Sequence, residues 1–220
     1  MTGQELVKKF RELSQDEVTP YLWEDAFVLD CLNEAEREAA DRARLIYDDT
    51  TLHVPIVSGQ RGSFVDPHIL DIERAAFHAE GNTRPPTRLK ILDRLEIDRL
   101  ELGRIPGATG GLPTVLVYDG NEHVELVPAP RRNGTLMLGA YRWPIRNFGM
   151  EESPEIPVVH HMGLVDWALF RAFSIPDADE ANERLAAFYH ERFEKYFGRR
   201  VDARKRRPQR ANKPHVNKLW

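Results

Sequence analysis

Adjacent histidines, His160 and His161, are the first residues in this 220-residue chain to suggest acid–base or metal chemistry. Neighbours on a helix project roughly 100° apart, so the pair is badly placed to share one metal ion. At helical spacing from His161 stand Val158, Leu164 and Val165, which offer no ligand, and Asp166 lies five residues on and off that face. The pair therefore reads as packing or capping histidines. The competing chemistry is a hydrolase using His160 or His161 with a nearby carboxylate. Glu151, Glu152 and Glu155 approach a helix start, where the helix dipole favours acids in any case. The run Gly107-Ala108-Thr109-Gly110-Gly111 has no Lys after its last glycine and no helix behind it, so it is neither a Walker loop nor a dinucleotide fingerprint. There is no Gly-x-Ser-x-Gly elbow, His-Glu-x-x-His motif or paired-cysteine motif. Cys31, the only cysteine, excludes an intrachain disulfide and sits in a helical pattern as a small buried apolar residue. No catalytic residue, cofactor or metal is assigned, and the chain is not read as an enzyme.

The elements that would position any site are helical at both ends. Thr2 and Glu5 fit a capping box ahead of Leu6, Val7, Phe10 and Leu13. After Thr19-Pro20 a longer helix buries Leu22, Phe27, Cys31, Leu32, Ala35, Ala39, Ala43 and Ile46. Its Glu34, Glu36, Arg37, Glu38, Asp41 and Arg42 face outward, and it runs to about Tyr47. Residues 155–198 carry two amphipathic helices joined at Ile175-Pro176-Asp177. The first has the stripe His161, Leu164, Val165, Ala168, Leu169 and Ala172; the second has Ala181, Leu185, Phe188, Phe193 and Phe197, with Asp177 as N-cap and Gly198 as stop.

Between the helices the period changes to two. Leu52, Val54 and Ile56 alternate as a strand; residues 69–78 fit period two, with Leu70, Ile72, Arg74 and Ala76 on one face, or period 3.6, with Ile69, Ile72 and Ala76, and the flanking strands favour a strand. Asp93 and Glu96 cap a short helix. Two alternating runs at 114–118 and 124–127 flank Asp119-Gly120-Asn121, a strong hairpin cue. A third strand carries Leu136, Leu138 and Ala140 up to Trp143-Pro144. The fold class is α+β: a helical bundle from residues 1–49 and 155–198, an inserted small antiparallel β domain over 50–154, and an extended C-terminal arm over 199–220.

The formal charge of −4 is divided unevenly. Residues 199–220 carry nine Lys or Arg (Arg199, Arg200, Arg204, Lys205, Arg206, Arg207, Arg210, Lys213, Lys218) against Asp202, leaving the body with 22 basic and 34 acidic residues. A basic arm on an acidic body implies an anionic partner. The arm reads as a solvated terminus, as a segment that orders on a protein partner with Trp220 as anchor, or as the phosphate contact of a DNA-binding module. No window approaches the roughly 20 apolar residues of a membrane span, and the polar start gives the reading of a protein made in the cytoplasm.

Several stretches in order resemble the head-to-tail adaptors of tailed bacteriophages, the short-tailed kind in particular. They are LNEAEREAADRARLIYDD (32–49), VSGQRGSFVDPHILDIERA (57–75), LVPAPRRNGTLMLGAYRWP (126–144) and EIPVVHHMGLVDWALFRAFSIPDADEANERLAAFYHERFEKYFG (155–198). The resemblance implies a virion structural protein of the neck between capsid and tail, assembled in the host cytoplasm. It implies a homo-oligomeric, dodecameric ring that binds the portal protein above and a tail nozzle or tube protein below, with double-stranded DNA passing through the bore. By this resemblance residues 199–220 are the portal-docking arm. The charge pattern of the long helices suggests Arg37, Glu38, Arg42, Glu183, Arg184, Glu191 and Glu194 as the contact between neighbours in the ring.

Overall fold

Helix α1 (Gly3–Ser14) starts where the sequence places it. Thr2 and Glu5 form a reciprocal capping box, and Leu6, Val7 and Phe10 are buried on one face. The computed structural model describes residues 1–99, 110–175 and 180–200, and the chain divides into two units. The cap read at Asp177, the connection at 103–109 and the arm beyond Arg200 lie outside the described residues. Among those described there are five α-helices and nine strands, an α+β protein.

The helical unit comprises Met1–Ile46 and Arg142–Arg200. It contains α1, α2 (Asp25–Ala43), a 3-10 turn over Val158–His160, α4 (His161–Phe173) and α5 (Glu180–Phe197). Helix α4 packs on α1, α2 and α5 and is buried almost all round: His161, Leu164, Val165, Asp166, Trp167, Ala168, Leu169 and Ala172. Helix α2 stops at Ala43 rather than running to Tyr47. Arg44 adopts the left-handed conformation, its N–H returns to Ala40 O, and Tyr47–Asp48 pairs as a strand instead. Leu22, expected in the buried stripe, lies before the helix and is exposed, as is Ala43. On α5 the buried stripe is Ala186, Tyr189, Phe193 and Phe197. Leu185 and Phe188, expected inside, face out, because counting back from Phe197 by four reaches 193 and 189 rather than 188.

Residues 143–157 cross the helical unit without regular secondary structure apart from turns. Their backbone groups still need partners. Helix α2 supplies them with two buried polar side chains. The Asn33 amide donates to Phe148 O at 3.1 Å and accepts from Phe148 N at 2.9 Å, and Glu36 accepts from Ile156 N at 3.1 Å. From the other side, Gly3 N and Gln4 N donate to Glu152 O and Met150 O, so this strap also takes up donors at the start of α1. Glu36 was expected to face outward; it is 1% exposed.

The β unit, Tyr47–Tyr141, holds two sheets. The first has the order β1 (Tyr47–Asp48), β9 (Gly134–Arg142), β4 (Ile69–Ala79), β5 (Thr87–Arg88), with β2 (His53–Ile56) also on β9. The second runs β3 (Gly62–Phe64), β8 (His123–Val127), β7 (Val115–Tyr118), β6 (Lys90–Leu92). Leu116, Tyr118, Val124 and Leu126 of the second sheet share a core with Ile56, Ile72, Phe77, Leu136 and Leu138 of the first. The opposite face of β7 and β8, Val115, Val117 and Val127, packs with Leu92 and with Ile97 of the short α3 (Arg94–Arg99). Asp93 and Glu96 cap α3 reciprocally, as read.

The expected hairpin is present, with Leu116 opposite Leu126. The third strand of the reading, β9, belongs to the other sheet, and the expected single antiparallel sheet is two, with β6 parallel to β7. The small strands of two or three residues are too short to show a period. On β4 the buried face in the second half is Ala75, Phe77 and Ala79, not Arg74 and Ala76.

Burial pushes the Glu36 carboxyl up to about 7, against the opposing pull of the Ile156 and Glu155 N–H groups. A carboxyl whose folded value lies above its ordinary 4.5 favours the fold when protonated. That contribution is fully present below about 4.5 and is lost as pH rises through about 7. Denaturant unfolding of Glu36→Gln is therefore expected to lose less stability between pH 5 and pH 8 than the parent does, by about 2–3 kcal/mol. Equal slopes in the two proteins would contradict the assignment.

Candidate assembly surface

Helix α5 ends at Phe197, and Gly198, with φ 88°, turns the chain out of it while its N–H returns to Glu194 O at 2.8 Å. Only a residue without Cβ takes this conformation freely, and the basic segment begins at this turn. Arg42 of α2 lies beneath it, its side chain 4% exposed. Its Nε and Nη2 each stand 3.1 Å from Glu38 Oε2, and its Nη1 is 3.3 Å from Gly198 O and 3.9 Å from Glu194 Oε1. The guanidinium also lies 5.2 and 5.1 Å from the ring centres of Trp167 and Phe193. One buried cation thus joins α2, α4, α5 and the root of the arm.

Above this cation the first two arm residues fold back on the same acids. Arg199 Nε faces Glu194 Oε2 at 3.6 Å, and Arg200 reaches Glu38 Oε1 at 3.6 Å and Asp41 Oδ2 at 3.9 Å. Both arginines are well exposed, so these outer pairs contribute little to stability. Arg204, Lys205, Arg206, Arg207, Arg210, Lys213, Lys218 and Trp220 lie outside the described residues.

The seven residues read as a contact between neighbours separate into two groups. Glu38, Arg42 and Glu194 converge on the arm root. Arg37, Glu183, Arg184 and Glu191 are exposed, with Arg37 Nη2 2.5 Å from Asn147 Oδ1.

The histidines are structural in their contacts. His161 is 2% exposed, and its Nε2 lies 2.9 Å from Ile156 O. A carbonyl only accepts, so Nε2 carries the proton, and Nδ1 accepts from the Met1 nitrogen at 3.1 Å. Burial holds the ring below the ordinary histidine range, keeping it neutral. His160 Nδ1 lies 3.3 Å from the Tyr196 hydroxyl, which donates to Val159 O. Asp166 pairs with Arg192 at 3.3 Å, and burial raises its carboxyl. Cys31 is buried, and its thiol is pushed up to about 11 by burial, far from a reactive thiolate. Among the described residues no group of three or more His, Cys, Asp or Glu side chains could hold a metal ion, and no helix is long and apolar enough to cross a membrane.

Sequence reasoning missed the linker clamp. Arg11, 7% exposed, donates to Asp16 Oδ2 at 2.8 Å and Trp23 O at 3.0 Å and pairs with Asp25, and its guanidinium lies 3.5 Å from the Tyr21 ring centre. The run of acids after Arg11 with no Lys or Arg up to residue 30 was the available signal.

A family model described as SU10 adaptor protein matches residues 1–215. A search of curated proteins finds no match.

Removing the buried cation leaves Glu38 Oε2 and Gly198 O without that donor and uncovers the Trp167 face. Arg42→Ala is expected to cost on the order of 3 kcal/mol in urea unfolding, while Arg199→Ala stays within about 0.5 kcal/mol of the parent. Comparable losses in the two variants would contradict the division into a buried anchor and exposed outer pairs.

Proposed function

The chain belongs to the SU10 adaptor protein family, a phage head-to-tail adaptor family, and from that premise we propose that copies of it form a ring joining the portal to the tail. Membership makes it a structural component of the virion that works with portal and tail proteins and oligomerises; such adaptors are not known as enzymes. The finer reading is a dodecameric ring in the neck between capsid and tail, assembled in the host cytoplasm. It binds the portal protein on one side and a tail nozzle or tube protein on the other, and double-stranded DNA passes through its bore.

The observation that carries this reading is the family match over residues 1–215, which takes in both units and most of the basic segment. Residues 199–220 are the arm that docks on the portal through its nine cations and Trp220. Two features support that role. The arm leaves from a rigid root, because Gly198 sits on the buried Arg42 network. A polar, cationic segment of this composition also gains order by coupled folding on an anionic partner surface. The exposed charges Arg37, Glu183, Arg184 and Glu191 are available between neighbours in the ring, while Glu38, Arg42 and Glu194 orient the arm.

The second reading, a DNA-binding module, rests on the same cations. It requires affinity for unrelated duplexes that falls steeply with salt and vanishes with the arm. Deleting residues 199–220 is expected to leave a soluble protein with an unchanged helical signal that no longer co-sediments with portal. Normal co-assembly by the truncated protein would sink the arm assignment.

A further inference from the structure

The helical unit carries two exposed apolar patches at opposite ends of the α4–α5 hairpin. The first is built by the loop joining α1 to α2, where Val18 is 79% and Leu22 74% exposed, together with Tyr21 and the outward residues Leu185 and Phe188 of α5. Ring contacts link its two parts through the core beneath them: Trp23 to Phe173 at 5.5 Å, Phe173 to the buried Tyr189 at 6.0 Å, Tyr189 to Phe188 at 5.2 Å. The loop is held in place, since Asp16 accepts from the Leu22 and Trp23 N–H groups and is itself clamped by Arg11. The second patch lies where α4 begins and α5 ends. Val158 is 66% and Val159 71% exposed, beside Met162 and Tyr196. The Tyr196 hydroxyl on Val159 O at 3.1 Å ties the two elements together. The thirteen residues of α4 separate the patches by about 20 Å.

The borders of the patches differ in their exposed charge. Residues 12–30 contain six acids and no Lys or Arg, and Glu17 and Glu24 are exposed beside the first patch. On α5 the exposed Glu183 and Arg184 adjoin Leu185 and offset one another, and Arg192, which lies 5.5 Å from the Phe188 ring centre, is taken up by Asp166. Beside the second patch Lys195 is exposed, and so are Arg199, facing Glu194, and Arg200, facing Glu38 and Asp41. Two copies meeting through the same patch would bring Glu17 and Glu24 against their own kind at the first, or Lys195 against its own kind at the second. Dissimilar apolar patches with complementary borders suit a heterologous contact, which closes into a ring when the rotation allows.

We propose that copies of this chain associate head to tail, the patch around Val18 and Leu22 of one seating on the patch around Val158 and Val159 of the next. The inference rests on the ring reading above and names the surfaces that form it. Burial of these side chains supplies the attraction, and the charged borders set the register.

Two double variants test the pairing, each altering only exposed residues: Val18→Lys with Leu22→Lys, and Val158→Asn with Val159→Asn. Sedimentation velocity is run on each alone, on their equimolar mixture and on the wild-type chain, with and without portal. The wild type is expected to grow beyond a dimer with concentration or on portal, and each variant alone to remain monomeric with an unchanged melting temperature. The mixture keeps one intact pair of patches, so it is expected to yield a one-to-one dimer that grows no further. A mixture that stays monomeric, a variant that assembles like the wild type, or a wild type that is monomeric under every condition would overturn the proposal. The variants retain residues 199–220, so variants that still bind portal and also still self-associate defeat the head-to-tail pairing alone. Failure of the wild type to bind portal defeats the adaptor-arm reading instead.

Discussion

Helix α4 has no polar face, and the helical unit is arranged to cover it. Its buried set runs from His161 to Ala172 and takes in Leu164, Val165, Trp167, Ala168 and Leu169, each large apolar member gaining about 1.5–3 kcal/mol on burial. Covering such a helix from every side takes more than its three helical neighbours. The irregular strap 143–157 contributes Phe148 and Ile156 to the same core. That brings unpaired backbone groups inside, and the fold answers them with polar side chains that are themselves buried. Asn33 pairs with both backbone groups of Phe148, Glu36 receives Ile156 N, and His161 Nε2 donates to Ile156 O. The apolar demand of one helix thus explains why α2 carries an amide and a carboxyl on its inner face.

Local signals were legible in the sequence. The capping boxes at Thr2 and Asp93, the Asp-Gly hairpin turn and the period-two run of β9 each depend on residues within four positions of one another, and each stands in the structure as read. The stripe of α4 was legible for the same reason. Glu36 and Arg42 were not, because a buried charge on a helix has the same wheel position whether it meets solvent or a distant partner. Glu36 meets Ile156, 120 residues away, and Arg42 meets Gly198, 156 residues away. Leu185 and Phe188 misled in the opposite sense: apolar residues at helical spacing look like core, and the phase of α5 is set instead by Phe193, which packs on both Trp167 and Phe197. The two-residue strands Tyr47–Asp48 and Thr87–Arg88 owe their existence to longer partners, β9 and β4, and have no pattern of their own.

The same errors of phase point toward function. A side chain that the sequence places in the core and the structure leaves outside is a candidate for burial against another molecule, and Leu22, Leu185 and Phe188 are all of this kind. Arg42, expected at the surface, has its side chain buried and does the converse: with Glu38 it holds Gly198, the point from which the basic segment departs. In the ring proposed above this division would separate two tasks, contact between neighbours at the exposed apolar ends and aiming of the arm at a stiff root.

Native mass spectrometry of the purified portal ring mixed with an excess of this protein tests the adaptor role most directly. The account predicts a discrete increase in mass equal to one adaptor chain per portal subunit, with no partly filled species dominating. A portal ring whose mass is unchanged by excess adaptor at physiological salt would contradict it.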